Sequence, residues 1–255
     1  MTAAAIAVSV LFWLGGITRV PSAIRAPSRR PLCVALLAFA LALTFDIPPV
    51  YTAFDRAVGI PNLADLIEHS FAIIGVFALL RTLEQLTNAP SRRRSRIPWI
   101  LPIVAVAGSA SLFAAASPRY EDSDFTDRYG QSPLIVAYWA ITIGYFAVIL
   151  IELARLVIRH SGRCRRTALR VGLRLVGAGV AVGVAYSLLK IGTETLAVSR
   201  TNIQRYVGWL DSAALVIGGS LIGIGLLLGS GTDSVMHVQR VFRIGLLTGL
   251  IISEM

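Results

Sequence analysis

Apolar residues in this chain come in long runs, separated by short polar segments that hold most of the prolines. A bilayer's hydrocarbon core needs roughly 20 mostly apolar residues in helix. Seven runs approach that length: about Ala3–Ile17, Leu32–Tyr51, Leu63–Leu86, Trp99–Ser117, Pro133–Leu156, Val171–Leu196 and Tyr206–Gly229. None shows the sustained period-two alternation of a barrel strand, and charges and turn signals gather between the runs, as helix ends require. The pattern predicts an all-α polytopic membrane protein, with a bundle of seven transmembrane helices over residues 1–229. Residues 230–255 are then a short cytoplasmic tail, whose apolar stretch Ile244–Ser253 is too short to cross and reads as interfacial helix or packed tail.

Composition agrees with lipid as the solvent. Of 255 residues, 55% are hydrophobic and 15% charged, against about 45–50% and about 25% in soluble domains. Most soluble enzymes, disordered chains and secreted disulfide scaffolds are excluded. The formal charge of +10 could suggest nucleic acid, but its distribution says otherwise. All 24 basic residues are Arg except Lys190, and 17 of them fall in the first, third and fifth connections and the tail. Six fall on the opposite side, and Arg81 lies within a run. Cytoplasmic loops carry such an excess, so the bias predicts an outside N-terminus, a cytoplasmic C-terminus and residence in the plasma membrane. The cluster Arg92–Arg94 reads as a stop-transfer signal lying against anionic headgroups, with no nucleic-acid partner. No basic residue precedes the first run, as expected of an uncleaved helix. Cys33 and Cys164 fall on the reducing side, where no disulfide is expected.

Enzymatic signatures are missing: the chain has no Walker loop, no HExxH and no GxSxG. The glycines Gly223, Gly225 and Gly229 lie inside an apolar run. With Gly219, and with Gly179 and Gly183, they give the small-xxx-small spacing of close helix packing. His69, His160 and His237 are scattered, so no metal site and no cofactor are expected.

The informative residues are ionisable groups inside the runs, which are costly in hydrocarbon. Asp65, Glu68 and His69 stand at i, i+3 and i+4, on one face of the third helix. Tyr186, Lys190 and Glu194 share a face of the sixth, Asp211 lies near the start of the seventh, and Asp46 near the end of the second. The predicted topology puts all eight in the outer half of the bilayer. Two explanations stay open. Lys190 could pair with Asp211 or Glu194, and His69 with Glu68 or a carbonyl, only to satisfy buried groups. Alternatively, the set forms an outward vestibule that binds a small solute or relays protons. Arg81 with Glu84, and Glu152 with Arg155, read as structural pairs.

Seven spans divide as three, one linker helix and three, a parallel-repeat plan. The stretch His69–Gly75 resembles Asp211–Gly218, each downstream of an Asn (Asn62, Asn202) expected to cap its helix.

The segment Phe45–His69, with Pro48 or Pro49, then Gly59, Pro61, Asn62, Leu63, Ala64 and His69, resembles a group of actinobacterial seven-helix integral membrane proteins. Their members are described as transporters or membrane regulators, without established biochemistry. The resemblance implies a seven-helix fold and a membrane function. Those members continue after the last helix into a cytoplasmic helical region rich in Arg and Trp. Here only Ser230–Met255 follow, as a short variant or a curtailed frame, which weakens the case for signalling to a cytoplasmic partner.

The function these features predict is transport of a small solute or ion, with the outer polar set as entry or coupling site. A sensor that binds a ligand or proton there, acting through a cytoplasmic partner or a homo-oligomer, is the alternative. An intramembrane enzyme is the remote one, since no nucleophile and base stand at matched depth.

Overall fold

The computed structural model describes residues 2–87, 97–117, 132–161, 167–195 and 203–229, with the backbone alone at 2–5, 189–195, 203–212, 215 and 229. Every regular element among the described residues is helical. In chain order these are α1 (Thr2–Ile17), α2 (Val20–Arg25), α3 (Arg30–Phe45), α4 (Pro48–Val58), α5 (Leu63–Leu86), α6 (Ile100–Ala116), α7 (Pro133–Ser161), α8 (Thr167–Thr195) and α9 (Ile203–Gly229). A 3₁₀ turn, Pro27–Arg29, joins α2 to α3. The predicted tail, the Arg92–Arg94 cluster, Cys164 and Asn202 lie outside the described residues.

Among the described residues, five stretches are long and apolar enough to cross a membrane: Ile6–Arg25, Pro27–Phe45, Leu63–Leu86, Pro133–Ser161 and Thr167–Leu188. Ile100–Ala116 and Val216–Leu228 are apolar but shorter. The second predicted run needs correction, because its helix stops at Phe45 and does not reach Tyr51. Asp46 caps it, Ile47 is extended, and Pro48 and Pro49 open the separate helix α4. Proline lacks the amide hydrogen a continuing helix would use but suits a first turn.

Side-chain contacts fix the direction of each neighbour. Ser9 and Trp13 of α1 bond Thr44 of α3 while Cys33 meets Gly16, so these two helices run antiparallel. Gly75 lies against Phe39, making α5 antiparallel to α3. Ser109 meets Thr142, opposing α6 to α7, whereas Asp65 meets Tyr138 and Ile73 meets Tyr145, so α5 and α7 are parallel. Val157 against Gly177 and Leu150 against Gly183 turn α8 back along α7. Finally α9 returns along α8 and lies parallel to α1, with Phe12 on Gly223 and Leu227 beside Gly15. The order of packing, α1–α3–α5–α7–α8–α9–α1, closes into a ring, and α6 sits against α5 and α7.

Glycine makes the tightest seam. A Cβ on Gly179 would stand 2.9 Å from the Gly218 carbonyl oxygen, and one on Gly225 would stand 2.6 Å from that of Gly172. Only hydrogen in place of a side chain lets α8 and α9 approach so closely. Elsewhere the ring is filled by Leu36, Ile73, Leu79, Leu80, Ile149, Leu153, Leu173 and Leu226, all almost fully buried.

Candidate functional site

The alternation of directions gives the bundle two unlike ends. One carries Arg19, Arg25, Arg29 and Arg30 after α1, Arg155 and Arg159 near the end of α7, and Arg170 and Arg174 at the start of α8. The other carries the end of α3, helix α4 and the first turns of α5 and α7.

At this second end, α4 fixes where α5 begins. Gly59 (φ 75°) and Asn62 (φ 61°) both take the left-handed region, so the chain reverses within four residues. Asn62 does not cap α5 with its side chain, contrary to the expectation from sequence. Instead Asp55 of α4, only 2% exposed, accepts the amide of Asn62 at 2.6 Å and that of Ala64 at 2.8 Å. Its carboxylate also faces the positive end of the α5 dipole. The Asn62 side chain accepts the Tyr51 hydroxyl at 3.0 Å, tying the same turn to α4.

One turn further, Asp65 and His69 form the centre of the site. The Tyr138 hydroxyl of α7 donates to Asp65 Oδ2 at 2.8 Å. His69 Nδ1 lies 2.7 Å from the Asp65 carbonyl oxygen and 3.5 Å from the same Oδ2. A carbonyl can only accept, so Nδ1 carries hydrogen and donates. The neutral imidazole therefore keeps its lone pair on Nε2, which is the atom left to take or give a proton. The His69 ring meets Trp139 edge-on at 4.7 Å and Tyr138 at 5.9 Å. Asp65 and Tyr138 are buried, and His69 is half-buried.

Of the residues expected from sequence, the structure brings Asp46, Asp65 and His69 into one electrostatic neighbourhood. Asp46 reaches the surface just beyond α3. Loss of hydration among the crowded helix ends raises its carboxyl above the ordinary range, His69 pulls it back, and Asp65 adds to the rise. Glu68 is half-buried and lies within electrostatic range of Tyr138. Tyr186 is half-buried at the same end but on α8, whose main neighbours are α7 and α9, not α5. Lys190, Glu194 and Asp211 have their backbone in α8 and α9, and their side chains lie outside the described residues. The proposed pairing of Lys190 and the repeat partner Asp211 lie there too.

Sequence reasoning passed over Tyr138, Trp139, Tyr51 and Asp55. A signal existed for the first: Tyr138, Thr142 and Tyr145 stand at i, i+4 and i+7, a line of hydroxyls on one face of an apolar run. All three face inward, Thr142 against Ser109 of α6 at 3.4 Å and Tyr145 onto the Ile73 carbonyl at 3.1 Å.

Near the Arg-bearing end, α5 holds a second ionisable pair. Arg81 donates to Glu84 Oε2 at 2.8 Å and to the Ile97 carbonyl, and its guanidinium lies 4.7 Å from the centre of the Phe77 ring. Glu152 and Arg155 of α7 also pair, but partly in the open. Among the described residues no group of His, Cys, Asp and Glu is arranged to hold a metal.

All-helical architecture, several membrane-length apolar helices and ionisable groups turned inward define the class: a multi-pass helical membrane protein. No protein family, curated protein or solved structure matches the chain, so its assignment rests on the class and on the site.

Proposed function

We propose that the protein is a seven-span plasma-membrane transporter of a small solute or ion, with its N-terminus outside and Asp65, His69 and Tyr138 as its coupling centre. One observation carries this: a carboxylate and an imidazole share an oxygen contact inside a membrane-length helix, at its seam with a parallel helix. Ionisable groups at such depth are expensive and serve solute or proton pathways in many bundles. Asp65 Oδ2 accepts the Tyr138 hydroxyl and stands 3.5 Å from His69 Nδ1, so a positive charge on the imidazole would draw on the same oxygen that holds Tyr138. The excess of Arg at the opposite end supports the orientation, and the resemblance to actinobacterial seven-helix proteins agrees with it.

A sensor is the second reading, favoured by the packing of Asp65 directly on Tyr138, a closed arrangement that suits a ligand- or proton-operated switch. Purified protein in vesicles separates the two. Loading with a panel of small solutes under an imposed pH gradient should reveal uptake that is lost in Asp65→Asn and His69→Ala, while Glu152→Ala keeps it. Saturable, pH-dependent ligand binding without flux would replace the transporter with the sensor. Flux that survives both substitutions would make the centre structural.

A further inference from the structure

A second site lies on the opposite face of α5. Leu41 and Phe45 of α3, with Ile67, Ser70, Phe71 and Ile74 of α5, line an apolar groove of about 470 Å³, open on one side. Positions 67, 70, 71 and 74 lie on the side of the helix away from Asp65 and His69, as a 3.6-residue period requires. Ser70 adds no polarity, because its hydroxyl is spent on the Leu66 carbonyl at 2.7 Å. The groove falls within Pro27–Phe45 and Leu63–Leu86, two stretches of membrane length, so it opens toward the hydrocarbon.

Helix α4 adjoins this groove at Phe45. Phe54 meets Phe45, a groove residue, edge-on with ring centroids 5.0 Å apart. The helix is turned inside out by the standards of a water-soluble protein. Its buried face holds Tyr51 and Asp55, and its exposed side shows Pro49, Ala53, Ala57 and Val58, followed by Ile60 in the turn. In water such a face would be a liability, but at the boundary between headgroups and acyl chains it is the stable arrangement.

We propose that the α3–α5 groove binds one acyl chain of a bilayer phospholipid, with its headgroup beside α4. Lipid is favoured over a protein helix because every lining side chain is apolar or internally satisfied, and because the adjoining helix is built for the bilayer interface. The two observations, groove and inverted helix, meet at Phe45. The proposal rests on the membrane assignment but not on transport or sensing. Since Asp55 and Tyr51 hold the entry of α5, a lipid seated beside α4 would also bear on the turn that positions Asp65 and His69.

The test uses the full chain in vesicles containing a phospholipid with a photoreactive diazirine on its acyl chain. After illumination, adducts are mapped by mass spectrometry. The expected result is a severalfold excess of adducts on Leu41, Phe45, Phe71 and Ile74 over the more exposed apolar residues Ile103, Val104 and Ile151. Ile74→Trp and Ser70→Phe, which fill the groove, should bring that excess down to the control level. Groove labelling no higher than the controls would overturn the proposal, as would chain-to-chain cross-links from the groove, which would make it an interface between copies. The wild-type ratio decides even if both variants misfold. Absent labelling at the controls as well would sink the membrane assignment itself, a failure distinct from that of the groove.

Discussion

Helix α5 carries two buried ionisable centres, and they are built on different principles. Near its start, Asp65 and His69 are tied to α7 through the Tyr138 hydroxyl. Near its end, Arg81 and Glu84 are neighbours on the same helix, closed by the Ile97 carbonyl and the Phe77 ring. The first joins a carboxylate and an imidazole of one helix to a phenol of another. The second contains a guanidinium that never loses its charge, next to a carboxylate with side-chain exposure of only 1%. A permanent charge with fixed partners holds a structure together. A carboxylate that accepts from a second helix while standing 3.5 Å from an imidazole ties the two helices through a single oxygen. The first bridges two helices through the Asp65 carboxylate, whereas the second leaves Arg81 Nε buried without a hydrogen-bond partner.

The largest expected effect tests the fixed centre. Arg81→Ala strands Glu84 and should destabilise the bundle by about 3–5 kcal/mol, read as unfolding in a detergent titration. Replacing both by Leu should recover most of that loss, since a buried pair is often matched by apolar residues of similar size. If the double variant is as unstable as the single one, Arg81 holds the fold through Ile97 and Phe77, not through the ion pair.

Tyr138→Phe comes next. It removes a hydrogen bond to a carboxylate, a loss of about 1.5–3 kcal/mol, and it should also loosen α7 from α5. Spin labels near the first turns of the two helices would report a wider distance distribution in the variant than in the wild type. An unchanged distribution would mean that the Asp65 contact does not hold the two helices together.

Asp55→Ala removes the cap of α5 from outside that helix and should cost about 1–2 kcal/mol. Hydrogen exchange should speed up at Asn62 and Ala64 and spare the turns around Arg81. Equal acceleration along α5 would erase the distinction between its two ends. Smallest of all is Glu152→Ala. The pair with Arg155 is largely open, with side-chain exposures of 28% and 59%, and its loss should stay under about 1 kcal/mol. A greater loss would show that pairing near the Arg-rich end matters more than exposure suggests.

Much of the fold could be read from the one-dimensional pattern. Run length located the helices because a chain in hydrocarbon must satisfy every backbone group within a helix, and the i, i+4 spacing placed Asp65 and His69 on one face. The glycine spacing was met only in part: Gly179 and Gly225 lie at the α8–α9 seam, whereas Gly219 and Gly223 face Val8 and Phe12 of α1 and Gly183 faces Leu150 of α7. The candidate site was only half legible. Asp65, His69 and Asp46 stood out as polar groups in apolar surroundings, whereas Tyr138 and Trp139 looked like ordinary aromatics in a membrane helix. Asn62 was mistaken for the cap because capping is usually local, and here the acceptor comes from seven residues upstream on another helix.

Sequence alone thus determined the class of solvent, the helical architecture and the sorting of Arg toward one end, because each depends on composition and spacing along a single helix. Only the tertiary structure decided that α4 breaks away at Pro48 with its polar face inward, that α5 and α7 run side by side in the same direction, and that Tyr138 meets the oxygen His69 approaches. Those contacts join residues 73 positions apart in the chain. They depend on which helices neighbour one another and at what register, and that is settled by packing of all the helices together.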